Sequence, residues 1–168
     1  MDKLDIVTDE SGNEVVLLPE IIFSNKQNIN WNDVEDYLGK YVGELIEIAE
    51  TRDIIYIGNK FPDEYGGSSY TRKTKGARAK AKANAAQGIR EMVEIATDKV
   101  YRENHKEKHS EDAHNGWFYY VTRFAIPLYN NEKKTGEYNV YSACLVVNHA
   151  ANGKMYLYDV VGIKKRSE

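Results

Sequence analysis

Three apolar, aromatic runs joined by short polar turns fill the end of the chain, and they restrict its fold more than any other feature. Trp117–Tyr129 (WFYYVTRFAIPLY) ends in the turn-like NNEKKTGE. Tyr138–His149 (YNVYSACLVVNH) ends in Ala-Ala-Asn-Gly, a strong hairpin signal, and Lys154–Ile163 (KMYLYDVVGI) closes the set. Connections this short join antiparallel neighbours, so the runs predict a meander. Side chains alternate across a strand. Phe118, Tyr120, Thr122, Phe124, Ile126 and Leu128 therefore share one face, read as the core face. Trp117, Tyr119, Val121, Arg123 and Ala125 share the other.

Upstream, apolar residues at Ala79, Ala83, Ala86, Ile89, Val93, Ala96 and Val100 recur in steps of three and four. That period predicts one helix from Gly76 to about Glu103, lying on the sheet with its Lys and Arg residues turned away. The expected class is α+β: a long helix packed on an antiparallel meander sheet, with a small acidic N-terminal α/β lobe. In that lobe Glu14–Pro19 reads as a strand, and Asn30 as the N-cap of a helix from Trp31 to about Lys40. Glu44–Glu50 and Asp53–Gly58 read as a hairpin. Phe61–Ser69 (FPDEYGGSS) reads as an irregular boundary, dividing the chain into 1–69 and 70–168, either as two units or within one domain.

Charge divides at the same place. Residues 1–70 hold five Lys/Arg against fifteen Asp/Glu; the remainder holds eighteen against eleven. Seven basic residues and no acid lie between Arg72 and Arg90. The pattern suggests an anionic partner for the second half, nucleic acid above all, with a protein partner or neighbouring domain as the other choice; taken alone it fits slightly better a solvated basic helix face packed near acidic neighbours. No run is apolar enough to span a membrane, so no membrane partner is expected. The single cysteine, Cys144, sits in a strand pattern, reads as an inert thiol, and fits a reducing cytoplasmic compartment.

The stretches AKANAAQGIREMVEIAT, KHSEDAHNGWFYYVTRFAIPLY and KMYLYDVVGIKK, preceded by IYIGNKFPDEYGGSSYTRK, resemble a known family. It is the barnase–EndoU–colicin–RelE-like domains of large polyvalent proteins of phages and conjugative elements, mainly in Firmicutes. The similarity covers roughly Trp31 to Arg166 and is most specific between Ala79 and Ile163. It implies a helical part followed by a four-stranded antiparallel sheet. It also implies, for active members, a metal-independent ribonuclease working through polar residues on the sheet face. The standard barnase set of one glutamate, two arginines and a C-terminal histidine is not legible here. A catalytically inactive nucleic-acid- or protein-binding module is therefore the second reading.

Metal-free RNA cleavage needs a base, an acid and a cation at the phosphate. His109, in the KHSEDAH connection, is the candidate acid or base, and Arg123, mid-strand among aromatics, the candidate cation. Arg123 can equally stack on those rings or pair with Asp159 for structure alone. Tyr158, beside Tyr156 on the last strand, is the candidate phenol donor; Thr122, Glu64 and His149 are weaker alternatives. His105 and His114 flank His109, but with no cysteine partner zinc is not expected, nor any other metal or cofactor. For nucleic-acid binding the candidates are Tyr70, Thr71, Arg72, Lys73, Lys75, Arg78 and Lys82 at the helix start, with Trp117 and Tyr119 on the sheet.

Overall fold

The computed structural model describes residues 3–24, 28–103 and 115–166. Its first half contains β1 (Ile6–Thr8), β2 (Glu14–Leu17), α1 (Trp31–Leu38), β3 (Leu45–Glu47), β4 (Ile54–Tyr56), α2 (Phe61–Gly67) and α3 (Ser69–Lys73). Then follow α4 (Ala77–Ala85), α5 (Ile89–Glu94), β5 (Thr97–Arg102), β6 (Trp117–Asn130), β7 (Lys133–His149) and β8 (Met155–Lys165). All eight strands form one sheet, ordered β1-β2-β6-β7-β8-β4-β3, with β5 also paired to β6.

This architecture corrects the expected fold class. Among the described residues 41% are in strands and 27% in helices, so a curled, mixed sheet dominates. β6, β7 and β8 do pair antiparallel in succession. Their two outer edges, however, are taken by parallel partners from the first half of the chain. β2 joins β6 at Val16–Phe124 and Leu17–Ala125, and β4 joins β8 at Ile55–Met155 and Tyr56–Tyr156. Residues of the acidic half, such as Val16, Val34, Leu38, Ile46 and Ile55, share one hydrophobic core with Tyr120, Phe124, Leu145 and Val160.

The expected long helix is also absent. Among the described residues the longest α-helix, α4, has nine residues. A 3-10 turn at Ala86–Gly88 separates it from α5. Gly88, which ends that turn, lies close to the start of the chain: a Cβ there would sit 3.0 Å from Leu18 Cδ2 and 3.3 Å from Val16 Cγ1, tight enough that those side chains would have to shift. Past Ala96 the helical spacing is coincidental. Thr97–Arg102 is strand β5, rich in β-propensity and paired antiparallel to β6, and Val100 is exposed.

Nor does α4 turn all of its polar residues to water. Arg78 is exposed, but Ala81, Lys82, Ala83, Asn84 and Ala85 are all buried, and residues 20–23 strap across Asn84 and Gln87. The Asn84 amide secures that strap: its Oδ1 accepts from Ile22 N (2.8 Å) and Phe23 N (3.1 Å), and its Nδ2 donates to Phe23 O (2.8 Å). Phe61–Ser69, expected to be irregular, contains α2 instead. Pro62 falls in the first turn, where its missing N–H costs nothing, and Gly66 lets α2 approach the Glu35 side chain on α1.

Elsewhere local chemistry acts as its residues suggest. Asn30 caps α1 by accepting from Asn32 N at 3.1 Å. The β3–β4 hairpin pairs Ile46 with Ile55. Asn131 and Glu132, both at positive φ, turn β6 into β7, and Lys154 N donates to Asn152 Oδ1 (2.9 Å) in the Asn-Gly turn before β8.

Candidate nucleic-acid interface

The alternation of β6 decides what faces where. Phe118, Tyr120, Phe124 and Ile126 point to the helical layer, and Thr122 donates to Met92 O of α5 at 2.7 Å. The opposite face carries a second, small cluster: Trp117 and Val146, both buried, with the half-buried Tyr119, Tyr158 and Val161 packed on them. Among the described residues no helix contributes to this cluster.

Cross-strand register orders that face in rows. Arg102, Trp117, Asn148 and Tyr156 form the first row across β5, β6, β7 and β8. Tyr119 and Val146 follow, then Val121, Cys144 and Val161, then Arg123, Ser142 and Lys164. The Trp117 and Tyr158 rings meet edge-to-face at 5.1 Å, and the Arg102 guanidinium lies 5.7 Å from the Tyr119 ring centre. One end of the face is therefore aromatic and the other cationic. Between Trp117 and Arg123 run six residues of strand, about 20 Å. Burial pushes the Cys144 thiol up, keeping it protonated and unreactive.

Two clefts flank these ends. Arg123 lines one with Asp9, Ser11, Asn13, Ser142, Lys164, Lys165 and Arg166. There Asp9 is held below the usual carboxylate range, first by the backbone N–H of Asn13, with Arg166 and Arg123 adding to it against a smaller desolvation effect. Arg166 also bridges Asp9 at 3.1 Å. Tyr158 lines the other cleft, of about 290 Å³, with Asn59, Lys60, Phe61, Glu64, Asn148 and Tyr156. Arg123 and Tyr158, expected to act together, thus line separate clefts, about four residues of register (roughly 13 Å) apart along the strands. His109, His105 and His114 lie outside the described residues.

The helix-start candidates divide differently. Arg72, Lys73, Lys75 and Arg78 are exposed, but they belong to the helical layer, away from the aromatic face. Tyr70 is structural: its hydroxyl accepts from Ile163 N (3.0 Å), on the β8 edge that β4 has left. Thr71 and Lys82 are not at the surface at all. Lys82 Nζ sits 2.6 Å from Asp159 Oδ1 and 2.6 Å from Thr71 Oγ1, with the Tyr65 and Tyr70 rings 4.6 and 5.0 Å away. Burial pushes the Lys82 ammonium down and the Asp159 carboxyl up, and their mutual attraction opposes both shifts. Asp159 is thereby the partner of Lys82, and the alternative pairing with Arg123 does not form.

Sequence reading missed Arg102, Lys164 and Asn148 as members of the face. For Asn148 a signal existed: it is the one amide in the apolar run CLVVNH. Arg102 was hidden by its assignment to a helix. Comparison with protein-family models, with curated proteins and with solved structures finds no match.

Proposed function

We propose that the chain is a nucleic-acid-binding module that holds single-stranded RNA along the face of β6–β8 opposite the helical layer without cutting it. One observation carries this reading: the Trp117–Tyr119–Tyr158 cluster shares a face with Arg102, Arg123 and Lys164. A half-buried ring such as Tyr119 offers a stacking platform to a base, and cations at either end track the phosphates. The resemblance to barnase–EndoU–colicin–RelE-like domains supports RNA as the ligand and the cytoplasm as its setting. Cleavage, the other reading, needs a cation and proton donors around one phosphate. The separation of Arg123 from Tyr158 favours holding over cutting.

Labelled single-stranded RNA in EDTA tests the proposal by anisotropy and gel. Three phosphate contacts predict that log K falls with log salt at a slope near −2, since each contributes about −0.7 for a single strand. The RNA stays intact, and Arg123→Glu both weakens binding and flattens the slope. Cleaved RNA, or binding indifferent to salt, contradicts the proposal.

A further inference from the structure

A turn closes the cationic end of the β6–β8 face. Asp9–Asn13 joins β1 to β2, and Asp9 Oδ1 fixes this turn by accepting from Ser11 N and Asn13 N, both at 2.9 Å. Asp9 Oδ2 accepts from Arg166 Nη1 at 3.1 Å, and Arg166 N donates to Val140 O at 2.8 Å. The turn is thereby tied to the end of β8, and β8 to β7. These segments wall the cleft that Arg123, Ser142 and Lys164 line, whose volume of about 420 Å³ lies within the range of ligand sites.

Inside it those three side chains stand in one row. Arg123 faces Ser142 across β6 and β7, and Ser142 faces Lys164 across β7 and β8. Two strand spacings separate the cations by about 10 Å at the backbone, a gap their long side chains can close over the Ser142 hydroxyl. Among the described residues none of the three side chains has a hydrogen-bond or ion-pair partner. Asp9, the one carboxylate on the cleft wall among those residues, is spent on its turn and on Arg166. Two unmatched cations around a hydroxyl select an anion with several acceptor oxygens, the arginine as a two-pronged donor and the lysine as a point charge.

We infer that this row is a phosphate-monoester site, which receives the terminal phosphate of the strand held on the face. The inference rests on the nucleic-acid reading for the strand itself. A terminal phosphate carries close to two negative charges and three acceptor oxygens at neutral pH, one oxygen each for Arg123, Ser142 and Lys164. An internal phosphodiester has a single charge and two free oxygens. The closed end agrees with this choice: a strand running from Trp117 toward Arg123 meets the Asp9–Asn13 turn and ends there. A 5′- and a 3′-phosphate share the required chemistry.

One short RNA of fixed sequence, prepared with a 5′-phosphate, a 3′-phosphate or hydroxyl ends, tests the site by calorimetry at constant salt. One phosphorylated form should bind about ten-fold tighter than the hydroxyl-ended form, the effect of one further charge-assisted hydrogen bond, and which form does so identifies the end. Lys164→Gln, at an exposed position, should remove most of that advantage, and so should Arg123→Gln. Equal binding of all three forms, or an advantage that survives both substitutions, overturns the inference. Salt-dependent binding with no end preference keeps the face and removes the site. If no RNA binds, NMR titration with inorganic phosphate decides. Saturable shifts at Ser142 and Lys164 that vanish in Lys164→Gln keep the site while the face falls; no shifts remove both.

Discussion

Replacing Lys82 by Met removes a buried ammonium while keeping most of the side chain's volume. The pair it breaks is almost wholly enclosed, with side-chain exposures of 0% for Lys82 and 3% for Asp159. Asp159 is then left charged in a buried site, where the Ser68 side chain and the Val160 N–H (2.8 Å) still hydrogen-bond it but do not replace the lost charge. Breaking a buried pair from one side costs about 3–5 kcal/mol. For a domain of this size that corresponds to a fall in Tm of roughly 6–20 °C. The double change Lys82→Met with Asp159→Leu leaves no uncompensated charge, and should recover at least wild-type stability. Acidity supplies a further control. In the single variant the folded pKa of Asp159 lies further above its unfolded value of 3.8 than it does in the wild type. The deficit is therefore absent below about pH 3.8 and grows as pH rises toward the folded pKa. Urea unfolding from pH 4 to 8, followed by tryptophan fluorescence, measures all three proteins. A cost for Lys82→Met below about 1 kcal/mol, or one that does not shrink on acidification, would refute the placement of Lys82 in the core.

Two further predictions concern the helical layer. The Glu35 carboxyl is raised, first by burial and then by Asp63, so its contribution to stability is lost as pH rises through its folded pKa. Glu35→Gln should raise Tm at pH 7 by about 1–2 °C after solvent screening, and by nothing below pH 4 in thermal scans. Gly88→Ala, at a φ that alanine tolerates, pushes a methyl against Leu18 and Val16 and should cost about 1–3 kcal/mol in denaturant unfolding. An unchanged midpoint would mean that Leu18 and Val16 give way to the methyl at no cost.

Local signals in the sequence proved readable wherever the structure they specify is local. The Asn30 cap, the β3–β4 hairpin and the alternation along β6 depend on a few neighbouring residues, and each appears in place. Failures came where distant chain decides. The helical period from Ala79 to Val100 says nothing of the Val16 and Leu18 side chains that pack on Gly88, or of β6, which recruits Thr97–Arg102 as a strand. Lys82 looked like surface charge because its counter-ion is 77 residues away in sequence. The parallel pairings of β2 and β4 leave no mark in either segment, since each contacts its partner through only two register pairs. The candidate interface was half legible. Trp117, Tyr119, Tyr158 and Arg123 were readable from strand period, while Arg102, Asn148 and Lys164 required the register.

The chain has two tryptophans, Trp31 on α1 and Trp117 in the cluster on the face opposite the helical layer, and this makes the central claim directly measurable. In a Trp31→Phe variant all indole emission comes from Trp117. Titration with single-stranded RNA at low salt should quench and shift that emission as bases stack near the ring, with the change reversed by added salt. Emission unaltered at saturating RNA, with binding still visible by anisotropy, would place the nucleic acid elsewhere and contradict the assignment of this face.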